Sequence, residues 1–81
     1  LIRVMLFAGL SEVAGSPSVL IETDQQSLSI EQVRAILIEK YPAMEPLLKN
    51  SLAAVNQEYA DGQQLVSESD EVAFIPPVSG G

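Results

Sequence analysis

Leu28-Ser29-Ile30-Glu31-Gln32-Val33-Arg34-Ala35-Ile36-Leu37-Ile38-Glu39-Lys40-Tyr41-Pro42 carries the clearest local signal in the 81-residue chain. Ser29 and Gln32 fit a capping box, in which each side chain accepts a hydrogen bond from the other's backbone N–H. Two of the donors left unpaired at a helix start are thereby satisfied. Leu28 and Val33 occupy the two positions of a hydrophobic staple. Ile30, Val33, Ile36, Leu37 and Tyr41 recur at helical spacing and make one apolar stripe. Pro42 ends the run, because a residue before proline is pushed out of the α region. The stretch predicts one amphipathic helix with a single face to bury.

The segments on either side supply the surface that buries it. Ile2 to Ala8 alternates as a strand, with Ile2, Val4, Leu6 and Ala8 on one face and Arg3, Met5 and Phe7 on the other. Gly9 breaks it, and Leu10 to Ala14 allows a helical turn or two before Gly15. Ser18 to Glu22 is a second strand, reached through Gly15-Ser16-Pro17 and set to return antiparallel. Beyond the helix, residues 43–50 suit a short helical segment with Leu47 and Leu48 inward. Leu52 to Asn56 reads as a buried central strand. Glu58 to Gln64 reads as a short edge strand with a hairpin turn at Asp61-Gly62. Ser67 to Asp70 is turn-like, and Val72 to Ile75 is the last strand, halted by Pro76-Pro77, which lack N–H donors. The first and last strands are apolar and free of internal proline, so they belong at the sheet's centre. The expected fold is α+β: a β-grasp (ubiquitin-like) roll, a mixed four- to five-stranded sheet packed on one main helix. Residues 1–75 form the domain and residues 76–81 an extended C-terminal Gly-Gly tail.

Composition narrows the function. Hydrophobic residues make up 47% of the chain, enough for a core and too many for disorder. Four Lys and Arg against eleven Asp and Glu give a net charge of −7, which argues against nucleic acid or an anionic membrane as partner. Solubility accounts for such acidity, and a basic partner surface is the sharper alternative. No apolar run approaches the ~18–20 residues of a membrane span, and the N-terminus lacks a signal-peptide pattern, so the cytoplasm is the expected location.

The chain contains neither cysteine nor histidine. Thiolate nucleophiles, disulfides, thiolate metal sites and Ser-His triads are therefore excluded. Glu68, Asp70 and Glu71 are the densest carboxylate group, but they lack the glycine and spacing of a calcium loop and read better as a solvated turn. Neither GxGxxG nor a P-loop lysine is present. No metal, bound cofactor or unaided catalysis is expected of this chain.

Two features ask for more than a structural reading. Phe7 and Ile75 point away from the helix and meet on the uncovered sheet face, joined by Tyr59 from the edge strand. A contiguous apolar patch there marks a docking face. The second feature is the tail, Pro76-Pro77-Val78-Ser79-Gly80-Gly81. Termini commonly fray, and ordering six free residues costs on the order of 1–2 kcal/mol each. Pro76-Pro77 reduces that cost by restricting the free state, and Gly80-Gly81 fits a slot too narrow for side chains. A docking face at the tail's root offsets the remainder. The combination suits a carrier whose terminal carboxylate at Gly81 is activated elsewhere, as an acyl-adenylate made with ATP, and then takes a sulfur, thiol or amine nucleophile.

Leu6-Phe7-Ala8 with Glu12 and Gly15, Leu52-Ala53-Ala54-Val55-Asn56, and Asp70-Glu71-Val72-Ala73-Phe74-Ile75-Pro76-Pro77-Val78-Ser79-Gly80-Gly81 together resemble the small, sulfur-carrier subunit of molybdopterin synthase. The resemblance spans essentially the whole chain. It departs at Ser11, where the family often has a basic residue, and at Ser69, where it often has glycine. The resemblance implies that an activating enzyme adenylates Gly81 and that a sulfur donor system converts it to a thiocarboxylate. It implies too that the tail enters the large subunit, which holds the active site of a heterotetrameric synthase. There the sulfur passes to cyclic pyranopterin monophosphate during molybdenum cofactor biosynthesis. Three other readings share the fold: a thiazole (thiamine) sulfur carrier, which typically lacks the Phe-Ile-Pro-Pro approach, a ubiquitin-like protein modifier, and a non-reactive β-grasp interaction module whose Gly-Gly is incidental.

Overall fold

Alternation along Ile2–Leu6 becomes strand β1, in which Ile2, Val4 and Leu6 are buried. The computed structural model describes residues 1–77. β1 pairs antiparallel with β2 (Ser18–Ile21) and parallel with β7 (Val72–Ile75). On its other side β7 pairs antiparallel with β4 (Leu52–Val55), which in turn pairs with the edge strand β5 (Glu58–Ala60). The sheet is thus mixed, with five strands in the order β2-β1-β7-β4-β5. The last strand holds the centre because Val72 and Phe74 are completely buried beneath the helical layer.

The main helix, α2 (Ile30–Lys40), starts as its sequence dictates. Gln32 N–H donates to Ser29 Oγ at 3.1 Å, and Ser29 N–H donates to Gln32 Oε1 at 2.8 Å. Ile30, Val33 and Leu37 are wholly buried, while Ile36 and Tyr41 pack at the margin. Each fully buried aliphatic side chain contributes roughly 1.5–3 kcal/mol. After Tyr41 a 3-10 turn (Pro42–Met44) leads into α3 (Glu45–Leu48), which carries Leu48 into the core beside Met44. Arg34 is a half-buried cation of this layer. Its guanidinium lies 5.1 Å from the centroid of the Phe74 ring and donates to the carbonyls of Leu48 and Ser51. The Leu48 carbonyl ends α3 and also accepts the Ser51 N–H at 3.1 Å, and the Ser51 carbonyl lies just beyond it. The guanidinium is therefore hydrogen-bonded within the fold.

Several elements differ from the sequence reading. β1 stops at Leu6, and Ala8, expected inward, is exposed at φ 52°. The chain turns there into α1 (Gly9–Ala14), so the inward alternation ends early. The hairpin joining β4 and β5 turns at Asn56-Gln57, both in left-handed conformation (φ 53° and 72°), not at Asp61-Gly62. Asp61 instead accepts N–H bonds from Gln63 and Gln64, and the Gly62 carbonyl accepts from Glu31 N–H at 2.9 Å. A Cβ on Gly62 would lie 2.6 Å from the Glu31 side chain, so that glycine serves a close approach to α2. The segment then forms β6 (Leu65–Val66), which pairs with β3 (Leu28–Ser29) in a small second sheet. Pro76, expected in the tail, is buried with the domain, and exposure begins at Pro77.

Candidate docking face and tail root

The sheet's free face is organised by register. Met5 stands opposite Ala73, Ala73 opposite Ala54, and Ala54 opposite Tyr59. One transverse row thus crosses β1, β7, β4 and β5 on the side away from α2. The two alanines in its middle are too small to fill the space between their neighbours, so they floor a shallow groove. Phe7 and Ile75 wall it at one end, Met5 and Tyr59 stand along it, and Gln57 and Glu71 close the other end. Phe7 is 43% exposed and Tyr59 76%, although both are large apolar-bodied side chains. Leu52, opposite Ile75 and also exposed, extends the patch.

All three residues expected to dock, Phe7, Tyr59 and Ile75, therefore line a single groove. Sequence reasoning left out Ala54, Ala73 and Leu52. Their place follows only from knowing which residues of β4 and β7 stand side by side. β7 runs toward the Phe7/Ile75 end, so Pro76 and Pro77 leave from the groove's apolar end. Val78, Ser79, Gly80 and Gly81 lie outside the described residues. Another hollow, between Leu20 on β2 and Ile36 and Lys40 on α2, opens at the far end of the sheet from the tail root.

The opposite end of the groove is held by a polar clasp. Asn56 Nδ2 donates to Asp70 Oδ1 at 3.0 Å, and Asn56 Oδ1 accepts from Glu71 N–H at 2.9 Å. Asp70 Oδ2 accepts from the backbone N–H and the hydroxyl of Ser67. The Asn56 side chain first, then the Ser67 N–H, holds the Asp70 carboxyl below the usual carboxylate range. Asp70 thus acts within a turn, with both carboxylate oxygens engaged. Among the described residues no three His, Cys, Asp or Glu side chains gather into a metal site, and no helix is long and apolar enough to cross a membrane. The face offers apolar contact.

Comparison with known proteins identifies the family and the fold. The model of the ThiS family matches residues 4–81. A molybdopterin synthase sulfur carrier subunit from Dictyostelium discoideum is 42% identical, with 98% of this chain and 94% of that protein aligned. One from Chlamydomonas reinhardtii is 38% identical, covering 99% of this chain and 98% of its own. The crystal structure of SAMP1 from Haloferax volcanii superposes with a TM-score of 0.84 at 31% identity, covering 99% and 98% of the two chains. The fold is accordingly the β-grasp fold of these neighbours, and the chain belongs to the ThiS family, among the molybdopterin synthase sulfur carrier subunits.

Proposed function

We propose that this chain carries sulfur on its terminal glycine for the building of molybdopterin. The observation that carries the reading is the coincidence of two features: the apolar groove and the departure of the tail lie at the same end of β7. A docking face at the tail's root lets a partner grip the domain while it handles Gly81.

The chemistry runs in three steps. A Gly81 carboxylate oxygen attacks the α-phosphorus of ATP in an activating enzyme, and pyrophosphate leaves. Hydrosulfide from a donor system then attacks the acyl-adenylate carbonyl, forming a C–S bond as AMP departs, and loss of its proton leaves a thiocarboxylate. Finally residues 77–81 enter the large subunit of molybdopterin synthase, with Pro76 anchoring them at the domain. There the thiocarboxylate sulfur attacks a carbon of cyclic pyranopterin monophosphate and displaces an oxygen substituent, and water then cleaves the bond between that sulfur and the Gly81 carbonyl, restoring the carboxylate and leaving the sulfur on the pterin. The large subunit supplies the catalytic groups, this chain supplies none, and two such pairs form a heterotetramer in the cytoplasm. ATP serves the activating enzyme and is not bound here.

Intact mass spectrometry tests this directly. Incubation with the activating enzyme, ATP and a sulfur source is expected to replace one oxygen of the chain by sulfur. An unchanged mass after adenylation has been verified overturns the reading. Similarity to SAMP1, whose name in a second solved structure is small archaeal modifier protein 1, favours one other use of the same end, as a protein modifier. Its signature is a mass equal to this chain plus another protein, less one water.

A further inference from the structure

We propose that Ala54 and Ala73 are specificity-determining residues for docking: they keep a socket open in the sheet face, and one bulky apolar side chain of the synthase large subunit fills it. The inference rests on the docking reading of the groove and goes further by naming what the groove receives. Ala54 and Ala73 stand directly opposite each other on β4 and β7, on the side away from α2. Alanine is depleted in strands, where valine, isoleucine and the aromatics fit the pleated surface better. A valine at either position would also add a cross-strand contact. Folding therefore gives no reason for two methyl groups side by side here. Ala53 is different: it lies opposite the fully buried Phe74, itself 3% exposed on the helix side, where a larger residue would overpack the core.

What the two alanines leave is a hollow of about 490 Å³, within the ~300–1,000 Å³ of pockets that bury organic ligands. A large side chain fits there. Met5, Phe7, Tyr59 and Ile75 surround the floor, and the polar groups Gln57 and Glu71 stand at one end only. A polar side chain set over the floor would lose its water without gaining a partner there. An apolar one gains from the same burial. Two observations name the owner of that side chain. Pro76 and Pro77 leave from the Phe7/Ile75 end, so the protein that receives the tail also covers the groove. The net charge of −7 sets one copy of this chain against another.

The chain has no cysteine of its own, so one thiol can be placed in the socket and enlarged after folding. Ala73→Cys changes volume little and should bind the large subunit within about twofold of the parent. Capping the introduced thiol with methyl methanethiosulfonate, which adds a methylthio group, should weaken binding at least about tenfold. The thermal midpoint should not change, and dithiothreitol should reverse the loss. Ala54→Val and Ala73→Val should act like the cap while holding or raising the midpoint. Trimming one large apolar residue of the large subunit to alanine should restore affinity for the capped protein, as coupled neighbours do. Capping without effect on affinity, or restoration by no such trimming, overturns the socket. So does a midpoint that falls with affinity, which would assign the alanines to folding. A dimer of the free protein that capping dissociates overturns it too, by naming a second copy as the occupant. Phe7→Ala is the reference for docking itself. Weakened binding there, with an indifferent cap, overturns the socket and leaves the docking face standing, whereas unchanged binding overturns both.

Discussion

Asn56 is exposed, yet it closes the β4–β5 hairpin and ties that hairpin to the start of β7. Its φ of 53° suits asparagine better than most side chains. Its amide is engaged through both nitrogen and oxygen, and its own N–H donates to the Glu71 carbonyl at 2.8 Å. Asn56→Ala removes two side-chain hydrogen bonds and leaves alanine in a left-handed conformation. The expected loss is about 2–3 kcal/mol in urea unfolding. Asp70 adds a pH signature through the same clasp. Its folded-state pKa is lowered, so its contribution is complete above the ordinary carboxylate range and disappears as pH falls through the folded value. Unfolding curves of the parent and Asp70→Asn should therefore differ at neutral pH and converge in strong acid. A gap that persists in strong acid would show that charge on Asp70 is not what stabilises the turn.

At the scale of elements, the capping box of α2 makes the firmest prediction. Ser29→Ala strips the acceptor for Gln32 N–H and should cost about 1 kcal/mol, lowering the thermal midpoint by roughly 4–8 °C. The same element shows why parts of this fold were legible in advance. Local signals fixed it: a cap, a staple, a 3.6-residue stripe and a terminating proline all lie within fifteen residues. Alternation and apolarity likewise revealed β1, β2, β4 and β7, and placed the first and last strands side by side. The missed elements depend on distant partners. β3 and β6 are two residues each and exist because Leu28 and Val66 meet across the molecule. Asn56-Gln57 lacks the glycine that usually announces a two-residue turn, whereas Asp61-Gly62 advertises one and serves instead to approach Glu31. The groove residues Phe7 and Ile75 were legible by parity along single strands. The alanine floor between them was hidden until the register across β1, β7 and β4 was known.

At the scale of the whole molecule, α2, the 3-10 turn and α3 cover one side of the sheet, and the other side keeps an apolar groove beside the tail root. A partner that uses this face should depend on it far more than folding does. Phe7→Ala and Ile75→Asp are each expected to weaken association with the large subunit by more than tenfold, in the range of about 2 kcal/mol or more for an interface anchor. Calorimetric titration alongside chemical denaturation separates the two effects. Comparable losses in both would place these side chains in the core. The buried position of Pro76 has a metric consequence. Counted along the covalent chain, the carbonyl of Gly81 is five residues on, and at about 3.3–3.6 Å each these span at most about 17 Å. Under the proposed function, that limit is the radius around the domain within which an enzyme acting on Gly81 must locate its chemistry. One glycine inserted between Ser79 and Gly80 would carry the carbonyl about 3.5 Å past its target, a misplacement sufficient to stall turnover by two orders of magnitude or more while binding persists.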